Sequence, residues 1–413
     1  MPAFRGSAAG INSSGIKQHN ISAILQHLLR GENLSRVSLA NRIGVSTATI
    51  SNLVGELVAQ GLIVEEGFVR HNGQASVGRP QKALRLAPAS RYVIGIHIDV
   101  GRMVIALCDI RGAVVDKASF EHQLRAPWQA VMDQTVALVE ALIERQGLDA
   151  RRILGAGVAA SGLIDSETGV NIIAPNLNWH NVPIGQYLEE RLKLPVRVEN
   201  NVRAMALGES LLGAAAEAKV MAFIYARIGV GAGFIVDGEI YRGGAAGAGE
   251  IGHTVISLER TGRARTQTLE SLFSEPALIA GATELMARAP EGILARVSKP
   301  GGLTLEAIYR AALTGDEPSQ LLLAERALHF GIALANLVNI FNPELIVLGG
   351  IFTREHNLIL PTVLETLKTH AFAKMGEQIR VCVTEFGQEA GMIGAAALAL
   401  DRFFYRRTTH ALI

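Results

Sequence analysis

Aromatic residues make up only 5% of this 413-residue sequence, and it contains two cysteines, Cys108 and Cys382. Both lie in apolar runs typical of β-strands, which favours buried free thiols over a disulfide and gives no sign of secretion. Residues 1–20 lack the apolar core of a signal peptide, and no apolar run is long enough to cross a bilayer. We therefore expect a cytoplasmic protein with no membrane partner.

The length and the charge distribution point to more than one domain. Single hydrophobic cores stop growing at roughly 250–300 residues, so this chain is expected to form two or three domains. The net charge is +1, but residues 1–86 carry nine Lys and Arg against four Asp and Glu, and the remainder carries 30 against 34. A basic N-terminal segment on an acidic body indicates a module that binds a polyanion, although small solvated faces often carry a similar surplus.

The N-terminal segment has the pattern of three helices. Apolar spacing predicts a helix over residues 20–30, a short helix capped by Ser35, a tight turn at Gly44, and a third helix that is capped by Ser46 and ends at Gly61. This order is typical of a helix-turn-helix. A simple three-helix bundle would show the same apolar stripes.

Two further features favour DNA binding. The front of the third helix is small and polar, which suits insertion into a major groove. The candidate contact residues are Ser46, Thr47, Thr49, Ser51 and Asn52. Residues 62–67 and 82–86 then predict a β-hairpin wing, whose loop ends in Gly78-Arg79-Pro80. An arginine on such an extended loop could enter an A·T-rich minor groove, so Arg79 is a further candidate.

From Tyr92 onward, strand patterns alternate with helix patterns, which predicts an α/β body. Periodicity alone does not distinguish its architecture from a doubly wound sheet. Four short segments concentrate amides, carboxylates and a histidine, the groups that bind sugar hydroxyls. They are Pro175-Asn176-Leu177-Asn178-Trp179, Val198-Glu199-Asn200-Asn201, Gly249-Glu250-Ile251-Gly252-His253 and Thr268-Leu269-Glu270.

These segments, in this order, resemble the sugar-binding motifs of the ROK family (repressors, open reading frames and kinases). The resemblance covers nearly the whole chain, including the Gly-Arg-Pro of the wing. It implies an N-terminal winged helix-turn-helix followed by a two-lobed, actin-like (ribonuclease-H-like) sugar-kinase fold around a cleft. The implied division is a flexible tail at 1–19, the DNA-binding domain at 20–87, the ROK domain at 91–405 and a tail at 406–413. The implied sugar-binding residues are Asn176, Asn200, Asn201, Glu250, His253 and Glu270.

The sequence departs from the family pattern where phosphoryl transfer takes place. The resemblance implies a catalytic Asp at the position of Asn201, and an amide cannot act as a general base near neutral pH. The first phosphate loop, Asp-x-Gly-Gly-Thr in the family, reads Asp99-Val100-Gly101-Arg102-Met103 here, and the second, Gly-Thr-Gly, reads Gly229-Val230-Gly231. Loss of the base and of both hydroxyls predicts no catalytic residue and no nucleotide cofactor.

A third departure concerns zinc. Most members carry three cysteines after the sugar-loop histidine, and with that histidine they form a closed tetrahedral site. Thr261, Arg263 and Thr268 occupy the cysteine positions in this sequence. We therefore expect no structural metal.

The sequence as a whole predicts a sugar-responsive transcriptional repressor of carbohydrate-metabolism genes whose kinase-like body does not catalyse a reaction. Its expected partners are operator DNA and a small sugar or sugar-derivative effector. Binding to two half-sites further implies a homodimer or a dimer of dimers. Two alternatives stay open: an ATP-dependent sugar kinase, and a DNA-binding regulator whose sugar site is vestigial.

Overall fold

A computed structural model of the protein describes residues 13–31, 34–68, 81–259, 265–298 and 302–406. The helices in these residues are α1 (Ser13–Arg30), α2 (Arg36–Ile43), α3 (Thr47–Ala59), α4 (Trp128–Arg145), α5 (Ile184–Leu192), α6 (Asn201–Leu212), α7 (Leu269–Phe273), α8 (Glu275–Arg288), α9 (Ile293–Val297), α10 (Leu305–Leu313), α11 (Glu317–Phe341), α12 (Leu360–His370), α13 (Met375–Gln378) and α14 (Ala390–Leu400). The strands are β1 (Ile63–Phe68), β2 (Lys82–Leu86), β3 (Tyr92–Asp99), β4 (Arg102–Asp109), β5 (Val114–Glu121), β6 (Ile153–Ala160), β7 (Leu163–Asp165), β8 (Val170–Ala174), β9 (Trp179–Val182), β10 (Val196–Asn200), β11 (Val220–Ala226), β12 (Val230–Val236), β13 (Glu239–Tyr241), β14 (Val255–Glu259), β15 (Arg265–Thr268), β16 (Leu345–Gly350) and β17 (Arg380–Val383).

The N-terminal module has the predicted helix-turn-helix order. The Ser35 hydroxyl accepts a hydrogen bond from the backbone N–H of Ser38 and caps α2. Gly44 ends α2 in the left-handed conformation (φ 77°), which glycine adopts without steric cost. The predicted tail of residues 1–19 is placed too far along the chain, because α1 already begins at Ser13. Apolar spacing missed this first part of α1, which the ion pair of Lys17 with Glu56 of α3 ties to the module.

The wing is an antiparallel pair of β1 and β2, in which Ile63 lies opposite Leu86. Glu65 on β1 accepts hydrogen bonds from Lys82 of β2 and from Arg36 of α2, and these partners, Lys82 foremost, hold its pKa below the usual range. The wing is thus tied to the start of α2. The loop of residues 69–80, and with it the candidate Arg79, lies outside the described residues.

The body contains two five-stranded sheets with the same topology. In the first sheet the order is β10-β6-β3-β4-β5, and in the second it is β17-β16-β11-β12-β13. Each has three antiparallel strands from consecutive hairpins, followed by two parallel strands on the other side of the first hairpin strand. This repetition confirms the predicted two-lobed, ribonuclease-H-like fold and rules out a single doubly wound sheet.

Two helices pack against each other between the lobes. α6 follows the first sheet along the chain and packs on β11 and β12 of the second, whereas α14 follows the second sheet and packs on β3 and β6 of the first. A Cβ atom at Gly394 of α14 would lie 2.6 Å from the backbone of Ala204 in α6. Because the backbones of α6 and α14 are in direct contact, the two helices form one close-packed unit that joins both lobes.

The second lobe has its core between the second sheet and the helices from α7 to α12. Within the described part of the chain, α11 is the helix whose length and composition would allow it to cross a membrane. Its residues Leu322, Phe330 and Leu334 are buried in the core of this lobe. The apolar character of α11 is therefore explained by its position inside the fold.

The DNA-binding module packs directly on the body. Its core residues form one continuous apolar cluster with α14 and with Phe404 and Tyr405. Residues 401–405 form a π-helical turn, in which the Tyr405 carbonyl accepts a hydrogen bond from Ser22 of α1. Arg406 forms ion pairs with Asp401 and Glu239, which tie the end of this turn to the body.

Candidate functional site

A cleft of about 360 Å³ lies at the carboxyl ends of the parallel strands β3, β6 and β10. Open α/β sheets bind ligands at this edge, because the loops that follow the parallel strands converge there. The opposite wall comes from the loop after β11 and from the segment that precedes β14. All of the predicted sugar-binding residues line this cleft: Asn176, Asn200, Asn201, Glu250, His253 and Glu270.

Asn200 caps the start of α6. Its Oδ1 atom accepts hydrogen bonds from the N–H groups of Val202 (3.0 Å) and Arg203 (3.2 Å), and its Nδ2 donates to the Gly162 carbonyl (2.9 Å). The cap uses the carbonyl end of the amide and leaves one N–H of Nδ2 for a ligand. Asn200 therefore fixes the helix start and offers a single donor to the cleft.

Asn201 occupies the first position of α6 and is 7% exposed. Its Oδ1 accepts from the N–H of Val202 (3.0 Å), and its Nδ2 donates to the Ser161 hydroxyl (3.2 Å). Both contacts suit a neutral amide. The side chain can hydrogen-bond a ligand hydroxyl, but it cannot accept that hydroxyl's proton.

Glu250 and His253 are exposed, and within the described residues neither side chain has a hydrogen-bond partner. They follow Gly249, whose φ of 100° and contact with the Ala232 carbonyl leave no room for a Cβ atom. The backbone of this loop is thus pinned while the two side chains stay available. Asn176 is likewise exposed, in the 3₁₀ turn Pro175–Leu177.

Glu270 differs from Glu250, His253 and Asn176 because its side chain is hydrogen-bonded to the protein backbone. Its Oε2 accepts a hydrogen bond at 3.0 Å from the backbone N–H of Val230, the first residue of β12, in the segment that matches the family's second phosphate loop. The hairpin of β14 and β15 leads directly into α7, which carries Glu270. The described residues on either side of 260–264 are therefore paired as strands, and β15 is followed at once by the helix that carries Glu270.

Sequence reasoning missed a buried ion cluster behind the cleft. Glu199 is 0% exposed and binds two arginines: its Oε1 accepts from Arg203 Nε and its Oε2 from Arg242 Nε, each at 2.8 Å. Arg203 also donates to the carbonyl of Ala246, in the glycine-rich loop that precedes Glu250. Glu199 adjoins the recognised Asn200-Asn201, but no sequence signal indicated that Arg242 would reach it.

A second residue that the sequence did not single out is Arg227, which follows β11. Its guanidinium forms an ion pair with Asp99 at the end of β3. Asp99, Tyr225 and Arg227 line the sugar cleft and also a smaller cavity of about 140 Å³ behind it. Arg102 of the altered first phosphate loop lines the smaller cavity as well.

The candidate DNA-binding residues lie at the start and along the first turns of α3, and none of them is buried. Ser46, Thr47 and Asn52 are exposed, and Thr49 and Ser51 are half-buried. The Ser46 hydroxyl caps α3 by accepting from the Thr49 N–H at 3.1 Å, and the two hydroxyls lie 2.8 Å apart. Ser46 and Thr49 thus contribute to helix capping, whereas Thr47 and Asn52 are exposed and have no hydrogen-bond partner for their side chains among the described residues.

Of the three residues at the family's zinc positions, Thr268 caps α7, and Thr261 and Arg263 lie outside the described residues. Where the chain is described, no group of three or more His, Cys, Asp or Glu side chains could hold a metal ion. The absence of zinc stays a prediction.

Comparison with known proteins identifies the architecture. The ROK family model matches residues 93–402, and a model described as winged helix-turn-helix DNA-binding matches residues 18–64. The chain therefore belongs to the ROK family and carries an N-terminal winged helix-turn-helix.

Its relatives include both regulators and kinases. The xylose repressor of Caldicellulosiruptor bescii is 29% identical over 392 residues, which are 94% of this chain and 97% of that protein. The glucokinase of Halalkalibacterium halodurans is 29% identical over 314 residues, 75% of this chain and 95% of the glucokinase. A solved ROK family transcriptional regulator, a homologue of Escherichia coli Mlc, has the same fold, with a TM-score of 0.80, 24% identity and coverage of 95% of this chain and 97% of that one.

Proposed function

We propose that this protein is a sugar-responsive transcriptional repressor whose kinase-like body binds a sugar without phosphorylating it. The observation that carries the proposal is one cleft in which Glu250 and His253 are free to bind hydroxyls, while Asn201 stands at the position of the catalytic base. The same chain carries a winged helix-turn-helix, so the ligand-binding body and the DNA-binding module belong to one molecule. The protein acts on operator DNA, in the cytoplasm.

The packing supports a route by which a sugar could act on DNA binding. α6 begins at the cleft with Asn200 and Asn201, and its 12 residues span about 18 Å. Near its far end, Leu211 joins the apolar cluster that contains the DNA-binding module. A shift of α6 when the cleft closes would therefore reach the base of that module. The largest possible response equals the sugar's differential affinity for the two arrangements.

Operator recognition by helix-turn-helix proteins uses two half-sites, so the repressor is expected to act as a homodimer or a dimer of dimers joined through its bodies. Sugar binding would then change the spacing of the two α3 helices. Sedimentation of the intact protein tests this expectation, and a monomer at micromolar concentration would contradict it.

The kinase alternative is favoured by the shared fold and makes an opposite prediction. We expect no sugar-dependent ADP release, because Asn201 cannot accept the proton of the attacking sugar hydroxyl. In addition, the ion pair of Arg227 with Asp99 lines both cavities. Asn201→Asp should restore little activity, since both phosphate loops stay altered. A coupled ADP assay with a sugar panel measures this. Turnover on the order of 1–100 per second by the wild type would contradict the proposal.

The DNA-binding surface is tested by changes on α3 and on the wing. Thr47→Ala, Thr49→Ala and Ser51→Ala should alter base preference in the major groove. Arg79→Ala should weaken binding most at A·T-rich flanks, through loss of minor-groove insertion. Selection of bound sequences from a random pool at one fixed salt concentration measures both effects. If DNA affinity and base preference were unchanged in all four variants, this surface would not be the one that contacts DNA.

The vestigial-site alternative makes the opposite prediction for ligand binding. It predicts that no sugar binds, whereas the proposal predicts that at least one sugar from a panel of hexoses, pentoses and their phosphorylated and N-acetylated forms raises the melting temperature. A thermal-shift screen of the full-length protein separates the two.

A further inference from the structure

The ion pair between Asp99 and Arg227 connects the two lobes. Asp99 ends β3 of the first sheet, and Arg227 follows β11 of the second. The two side chains are 13% and 33% exposed, so both are largely shielded from water. An opposite-charge pair that is partly withdrawn from solvent is screened less by salt than a surface pair. It can therefore hold the two lobes together more effectively than an exposed pair.

Backbone contacts fix both partners in place. The N–H of Arg227 donates to the Gly229 carbonyl at 2.8 Å, and its own carbonyl accepts from the N–H of Glu275 at 2.7 Å. The second carboxylate oxygen of Asp99 accepts from the N–H of Val100 at 2.8 Å. With both backbones anchored, the guanidinium and the carboxylate are separated only if side chains rotate or the lobes move apart.

The pair also separates two cavities. Together with Tyr225, it lines the sugar cleft on one side and the cavity of about 140 Å³ on the other. Phosphoryl transfer needs the attacking oxygen, the phosphorus and the leaving oxygen roughly in line. The Arg227 guanidinium lines both cavities, so it lies between a sugar in the cleft and any group held in the smaller cavity. The pair also supplies a charged contact between the lobes, and its carboxylate belongs to the segment that matches the family's first phosphate loop.

We infer that Arg227 is a specificity-determining residue: its ion pair with Asp99 takes the structural place of a bridging phosphate, so that the body closes on a sugar alone and does not respond to a nucleotide. The inference rests on the proposed sugar-binding function. This role is separate from the loss of catalysis, because the ion pair would help the protein to bind its sugar.

Charge-removing and charge-reversing variants test this inference. Asp99→Asn and Arg227→Gln should each weaken sugar binding about tenfold, equivalent to about 1.4 kcal/mol. The double Asn/Gln variant should be no weaker than either single variant, because both changes remove the same contact. The reversed pair, Asp99→Arg with Arg227→Asp, should recover at least part of the affinity. The matched control is a double variant that carries both Asp149→Asn and Arg151→Gln. It removes an ion pair on the surface of the first lobe and should leave sugar affinity unchanged.

Two readouts are needed. Calorimetry gives, with and without ADP, the affinity for the sugar from the thermal-shift panel that raises the wild-type melting temperature most. Small-angle scattering gives the radius of gyration of the unliganded full-length protein. The single variants should have a larger radius than the wild type and the reversed pair an intermediate one, and ADP should not change wild-type sugar affinity.

Additive losses without recovery in the reversed pair would overturn the inference, because Asp99 would then contact the sugar directly. An unchanged radius in all variants, or tighter sugar binding by the wild type with ADP, would overturn it as well. If no sugar bound the wild type, the proposed function would fail by itself, and scattering would still decide whether the ion pair holds the lobes together.

Discussion

Glu199→Gln is expected to lower the free energy of unfolding by about 3–5 kcal/mol, the usual cost of breaking a buried ion pair from one side. Glu199 is fully buried, and its two oxygens accept hydrogen bonds from Arg203 and Arg242. A neutral amide would leave two guanidinium groups without a counter-charge and would direct an N–H group at one of them. Urea unfolding followed by circular dichroism measures the loss.

The matched control for this prediction is Glu190→Gln. Glu190 is exposed, and its carboxylate accepts a hydrogen bond from Gln186 one turn away in α5. The same chemical change there should alter stability by no more than about 0.5 kcal/mol. A loss below 1 kcal/mol for Glu199→Gln would mean that water or a rearranged loop can replace the buried contact. Because Arg203 also holds the Ala246 carbonyl, weaker sugar binding should accompany the loss of stability.

Glu250→Ala should shift the sugar response to roughly 10- to 150-fold higher sugar concentration, while leaving sugar-free operator binding within about twofold of wild type. The side chain is exposed in the cleft and has no hydrogen-bond partner in the described structure, so its removal breaks no contact of the fold. Each hydrogen bond to a charged group contributes about 1.5–3 kcal/mol, so sugar affinity should fall roughly 10- to 150-fold. Fluorescence anisotropy of a labelled operator, titrated with sugar, measures the response.

Glu291→Ala is the control for this experiment, since Glu291 is exposed and does not line the cleft. It should respond to sugar like the wild type. If Glu250→Ala also kept a normal response, the effector would bind elsewhere. Loss of sugar-free operator binding in Glu250→Ala would show that Glu250 has a structural role.

Local sequence signals were sufficient for the elements that carry their own chemistry. The Ser35 cap, the left-handed Gly44 and the apolar stripe of α3 gave the helix-turn-helix, because each feature depends on residues within one or two helical turns. The cleft residues were recognised through short motifs whose order and spacing match a family pattern. The structure brings all of them to one cavity.

Contacts between distant segments could not be predicted in this way. Arg227 reaches Asp99 from a position 128 residues away, and Arg242 reaches Glu199 from 43 residues away. In each pair the carboxylate is on the first sheet and the arginine follows a strand of the second, so the residues become neighbours only when the two lobes pack together. The docking of α1 on Tyr405 likewise depends on the last turn of the body returning to the N-terminal module. The start of α1 was missed because residues 13–17 show no apolar periodicity.

Calorimetric titration of the cognate sugar into the free protein, and into the protein saturated with an operator duplex, tests the central claim most directly. Linkage requires that a sugar which releases the repressor from DNA bind the DNA-free protein more tightly, by the same factor by which it weakens operator binding. For a coupling of about 1–3 kcal/mol this factor is roughly 5 to 150. The account predicts that factor in both directions. Equal sugar affinities with and without the operator would contradict it.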